Sequence, residues 1–202
     1  LIAKGVTPYF PPEIGVGVPW ARVFKKALLD KHQLNFLPEL RRMQDNIFNM
    51  YAFEYANEVV YIDEPIYHYR KNQESATNKR NPKVIYLFDL VNKEVESFIK
   101  QFNKSEIFSD ALHIKRLIGV HSYYKLYFQF ATSLGEKIEN QKEYHELLSR
   151  KEYATSLRNV KYSYLLLKEK VFISILKTKR LSLLAFLQKL ELILAKMKKR
   201  DF

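Results

Sequence analysis

Cysteine is absent from the 202 residues. That excludes disulfides and thiolate chemistry and fits a cytoplasmic compartment. No Gly-rich phosphate-binding loop occurs, and no Asp-x-Asp pair of the kind that holds a divalent metal. No uninterrupted apolar run reaches the length of a bilayer crossing, and no signal-peptide pattern is present. His113, His121 and His145 stand apart on segments of helical period, without a partner at metal-ligand spacing. They read as packing or surface residues. There is no internal repeat, and no low-complexity tract beyond a Lys/Leu bias near the end.

What the chain does have is charge, unevenly spread. The formal net charge is +12. Residues 1–149 hold 20 Lys/Arg against 18 Asp/Glu, whereas residues 150–202 hold 14 against 4. A basic end on a near-neutral body points to an anionic partner or to a solvated helix face. Charge alone also suggests nucleic acid, but no recognised nucleic-acid motif accompanies it, so nucleic acid is not an expected partner.

Taken in order, residues 1–20 are rich in Pro and Gly, which forbids a long helix and suggests a loop feeding a short strand. Residues 21–31 read as a helix with Val23, Phe24, Ala27 and Leu28 as its stripe. Residues 34–40 read as a short strand or loop, and residues 41–57 as a helix. From Pro82 the period is helical almost throughout: about 82–102, 105–132 with Ser105 as a plausible cap, 136–149 after a break at Gly135, 153–177, and 181–199. The aromatic run Tyr123 to Phe130 fits a helix packed on several sides better than a base-stacking platform.

The stretch from Met43 to Arg70 organises the rest. Phe48, Tyr51, Ala52 and Tyr55 fall at i, i+3, i+4 and i+7, one helical face, and Asp45 lies one turn earlier on the same side. Residues 59–62 and 66–70 read as paired strands around Asp63-Glu64-Pro65. Alternation sets Tyr67 and Tyr69 on one face and His68 and Arg70 on the other. With its flanks this stretch resembles the acceptor-side part of a family 2 glycosyltransferase of GT-A fold. The residues that carry the resemblance are Trp20-Ala-Arg-Val-Phe-Lys25, Leu34-Asn-Phe36 with Leu40, Gln44-Asp45, Phe48, Tyr61-Ile-Asp-Glu-Pro65-Ile-Tyr67-His-Tyr69-Arg70, and Gln73-Glu-Ser-Ala-Thr77. The match covers roughly residues 15–80. It departs from the family pattern at Gln44, where the first acid of a pair is expected.

The resemblance implies an α/β fragment. Residues 1–80 would be the acceptor-side half of a GT-A-like catalytic domain lacking its nucleotide-binding half, and residues 81–202 a helical extension with a basic amphipathic end. It implies transfer of a sugar from a nucleotide-sugar to a growing glycan or lipid-linked acceptor of the surface-polysaccharide kind. Asp45 matches the family's catalytic base, and a helix start would favour its ionised form. Gln44, an amide that accepts and donates, would bind a sugar hydroxyl. Trp20 and Lys25 fall in a segment that lies near the nucleotide-sugar in the family. His68 and Arg70 on one strand face would meet the leaving diphosphate. A divalent Mg or Mn ion is implied, with its ligands in the absent half. The chain is therefore expected to be inactive alone. The rival reading is a non-catalytic basic helical module. Residues 178–202, with an apolar stripe and basic flank, would lie on an anionic membrane surface at the inner face of the plasma membrane, or pack on protein. Apolar surface near Trp20 would favour a homo-oligomer.

Overall fold

The computed structural model describes Val18, residues 20–62, Glu64, residues 67–68 and residues 80–198, with side chains described through Glu191 and at Ile193. Among these residues the order is α1 (Lys26–Lys31), α2 (Gln44–Tyr55), α3 (Val84–Gln101), α4 (Glu106–Leu126), α5 (Leu134–Ser149), α6 (Lys151–Asn159), α7 (Leu167–Lys177) and α8 (Leu181–Lys198). Turns of 3-10 helix follow α4 at Phe128–Phe130 and α6 at Tyr162–Tyr164.

The centre of the assembly is α4, packed by α3 and α6. Its buried residues, among them Leu112, Ile114, Leu117, Val120 and Tyr123, lie all round the helix, so it needs neighbours on more than one side. Two apolar clusters result. The larger joins the start of α3 to α4, α5, α6, α7 and α8 through residues such as Leu117, Tyr144, Leu157, Ile173 and Leu184. The smaller joins Leu40, Ile47 and Met50 to Val91, Val95, Phe98 and Leu112, and so fastens α2 to α3 and α4. The aromatic run behaves as core: Tyr123 and Phe128 are buried, and the Tyr123 hydroxyl donates to Glu143.

The α/β expectation is corrected. Among the described residues there is no strand. Residues 59–62 carry no regular secondary structure, and Val59, Val60, Tyr61 and Ile62 are 62–82% exposed. The preference of such residues for strands expresses packing on a half-buried pleated surface, and no strand lies beside them among the described residues. Tyr67 and His68 have no regular structure; Ile66, Tyr69 and Arg70 lie outside the described residues, as do residues 1–17 and 71–79. Residues 34–40 form a loop.

The helical boundaries moved for local reasons. Gly135 does not break a helix. It sits in the first turn of α5, because Ser133 caps that turn with a reciprocal box: Ser133 Oγ accepts from the Glu136 N–H at 3.1 Å, and Glu136 Oε2 accepts from the Ser133 N–H at 3.0 Å. Ser105 does stand before α4, yet its side chain makes no capping bond. The single helix expected over 153–177 is divided. Val160 and Leu165 both turn into the core, and the intervening Tyr-Ser-Tyr has only modest helix propensity. Helix α3 ends on Asn103 in the left-handed region, φ 44°, with the Lys104 N–H reaching Ile99 O at 3.0 Å. No helix of the described residues is long and apolar enough to cross a membrane.

Candidate functional site

Helix α2 carries the candidate acid, and its first two turns are buried on nearly every side: Asn46, Ile47, Phe48, Asn49 and Met50 are all buried. The sequence period marks one face only. At Phe48 that face is covered by rings from the loops flanking α1, with Phe36 stacked at 4.5 Å between centroids and Phe24 edge-on at 5.4 Å, while Ile47 and Met50, off that face, pack on α3 and α4. Met43 precedes the helix in the left-handed region, φ 57°. That conformation costs a non-glycine residue about 1 kcal/mol, so packing must hold it. Lys115 of α4 reaches Met43, with its Nζ 4.0 Å from Sδ.

Asp45 is the second residue of α2 and is half-buried. Its Oδ1 accepts from the Asn46 N–H at 3.0 Å. A carboxylate offers about four acceptor sites, so capacity remains for a hydroxyl proton. The nearby cation is Arg22. Burial lowers the pKa of its guanidinium, while the Asp45 carboxylate acts in the opposite direction. Arg22 Nη1 donates to Val18 O, and its guanidinium lies over the Phe53 ring of α2 at 5.6 Å. Asn49 Nδ2 donates to the same Val18 carbonyl at 2.9 Å. Val18 thus ties the segment before α1 to the middle of α2. Two residues on from Val18, Trp20 stacks on Tyr67 with centroids 5.8 Å apart and planes 22° apart. Tyr67 is half exposed.

The start of α2, Arg22 and the Trp20–Tyr67 pair therefore form one neighbourhood. Gln44 is exposed beside Asp45, and His68 is exposed beside Tyr67. Lys25 is exposed at the position before α1, with no contact that joins it to Asp45. Arg70 lies outside the described residues. Arg22 and Tyr67 fall within the motif series, but no site role was assigned to them from the sequence, and Asn49 lies outside that series. No three His, Asp or Glu side chains among the described residues converge to hold a metal.

A polar hollow of about 410 Å³ lies at the start of α4, lined by Glu106, Ser109, Asp110, His113, Asn159 and Lys161. Lys161 Nζ bridges Glu106 Oε1 and Asp110 Oδ2, each at 2.9 Å. His113 Nδ1 meets Ser156 Oγ at 3.1 Å. His121 packs on the Phe172 ring and faces Glu191, and His145 is exposed. None of the residues expected to bind substrate lines this hollow.

Comparison with known proteins finds similarity to EpsH of Bacillus subtilis (strain 168), a protein whose own glycosyltransferase designation is provisional. The two are 26% identical over 130 residues, covering 61% of this chain and 37% of EpsH. The chain thus spans little more than a third of that relative. No family profile matches the chain. No solved structure matches it.

Proposed function

We propose that the chain belongs to a glycosyltransferase and supplies the acceptor-side acid of its active site. The observation that carries the class is the 130-residue similarity to EpsH. The half-buried carboxylate at the start of a well-held helix supports the role of Asp45. In this reading Asp45 takes the proton from an acceptor hydroxyl as its oxygen attacks the anomeric carbon. The new bond forms to that carbon while its bond to the nucleoside diphosphate breaks, and the diphosphate leaves with the electron pair. Attack from the face opposite the leaving group inverts the anomeric configuration.

The Trp20–Tyr67 stack offers an aromatic face on which the apolar side of a sugar ring can rest. Gln44, exposed next to Asp45, would bind a sugar hydroxyl. Lys25, His68 and Arg70 are the hydrogen-bond donors proposed for the diphosphate, whose growing charge they would offset. The proposed donor is a nucleotide-sugar, and the acceptor a glycan or lipid-linked saccharide of the surface-polysaccharide kind.

The test is incubation of the full-length polypeptide with a panel of labelled nucleotide-sugars and saccharide acceptors. The reading expects one donor, or a narrow set, to give labelled product, and expects that product to have the anomeric configuration opposite to the donor's. Retention would remove Asp45 as the base of a direct displacement. Failure to consume any donor would favour the non-catalytic helical module, a reading that the absence of strands among the described residues also accommodates.

A further inference from the structure

We infer that the outer face of α8, with the exposed side of α7, is a docking surface for an anionic lipid bilayer. This goes beyond glycosyl transfer and does not rest on it. Helix α8 has two apolar sides. Leu181 and Leu184 face the core, together with Gln188. Leu183, Phe186, Leu190 and Ile193 remain exposed, at 37%, 60%, 39% and 53%. At 3.6 residues per turn those four fall within roughly a quarter of the helix circumference and run roughly 15 Å along it. On α7, Leu167 and Val171 are one turn apart and exposed at 77% and 43%. The two helices pack on one another. A soluble surface rarely leaves such large apolar side chains aligned in one row without a partner.

Charge selects the occupant. Lys168, Lys177 and Lys189 are exposed on these two helices, and Arg180 is exposed in the turn between them. Of the described acids on the same helices, one is buried and the other is exposed but paired to a histidine. Glu169 is 7% exposed, and Glu191 is directed at His121, 3.6 Å away. On the helical wheel Glu191 lies well away from the row, whereas Lys189 borders it. Among the described residues, the charge beside the exposed row is therefore mainly positive. An apolar row flanked by cations, on a helix too polar to span a membrane, suits a surface that offers both acyl chains and negative headgroups. A second copy of this chain would bring like charge against like charge.

The test is co-sedimentation of the full chain with vesicles of pure phosphatidylcholine, and with vesicles about one third phosphatidylglycerol. Binding to the anionic vesicles should be at least roughly tenfold stronger, and about 0.5 M NaCl should largely abolish it. Phe186→Gln with Ile193→Gln, both at exposed positions and both to a good helix former, should lower binding by roughly tenfold or more, with helical circular dichroism unchanged. Arg180→Gln with Lys189→Gln should weaken binding to anionic vesicles and flatten its salt dependence. Equal binding to both vesicle types, no binding, or binding that survives loss of Phe186 and Ile193 would overturn the inference. So would a dimer in sedimentation velocity that the Phe186/Ile193 change dissociates, because a second copy would then cover this face.

Discussion

Lys115→Met tests how the first turn of α2 is held. Among the described residues, the Lys115 ammonium meets Met43 Sδ at 4.0 Å and forms no ion pair. Burial lowers its pKa from 10.5 to about 8. That displacement corresponds to roughly 3 kcal/mol by which the folded state disfavours the charged form. Methionine keeps the length and apolar stem of the lysine and removes the charge. At pH 7 the lysine is protonated both folded and unfolded, so the full penalty acts, and the variant should be more stable by about 1–3 kcal/mol. For a chain of this size that is a rise in Tm of about 3–10 °C. The pH dependence has a definite sign. The folded group has the lower pKa, so as pH rises from about 8 to 10.5 the folded lysine is neutral while the unfolded one still holds its proton. Parent stability should therefore climb toward that of the variant across this window and converge above it. Urea unfolding followed by circular dichroism at a series of pH values reads both quantities. A destabilised variant, or a difference independent of pH, would show that the ammonium has a counter-charge and that its burial costs nothing.

The other expectations concern the scaffold. A Cβ added at Gly119 of α4 would meet the Phe88 ring at 3.8 Å, ordinary contact. Gly119→Ala should thus raise stability by about 0.5–1 kcal/mol in thermal unfolding. Ser133→Ala removes the box at the start of α5 and should cost about 1 kcal/mol. Hydrogen bonds from the Ser133 and Thr132 backbone N–H groups hold the Glu136 pKa down to about 2. Its stabilising contribution is complete above about 4.5 and is lost as pH falls toward 2, so Glu136→Gln should flatten the parent's acid limb in that range.

The sequence carried the C-terminal helices well because their contacts are periodic. Val84, Val91, Val95 and Phe98 mark α3 at helical spacing, and all four are buried. The start of α8 at Leu181 was legible too. The amino-terminal part was not, because its order comes from contacts with no local period. Phe24 and Phe36 close over Phe48 from a loop, Val18 bonds Asn49 from 31 residues away, and Lys115 reaches Met43 across 72. β-branched and aromatic residues at 59–62 suggested a strand, but a strand also needs a neighbour, which local sequence does not specify. Within the site, Asp45 was visible from its spacing to Phe48 and from the surrounding motif series. The approach of Arg22 to it was not, since a cation more than 20 positions earlier leaves no mark on a helical pattern, although Arg22 lies within the motif from Trp20 to Lys25.

The most direct measurement is the turnover of Asp45→Asn in the full-length polypeptide, with thermal unfolding as a control on folding. A general base acting on the acceptor hydroxyl predicts a fall in kcat of roughly 10²–10⁴, with donor KM within about twofold and Tm unchanged. Turnover within a few-fold of the parent, from a variant as stable as the parent, would contradict the assignment of Asp45 as the proton acceptor.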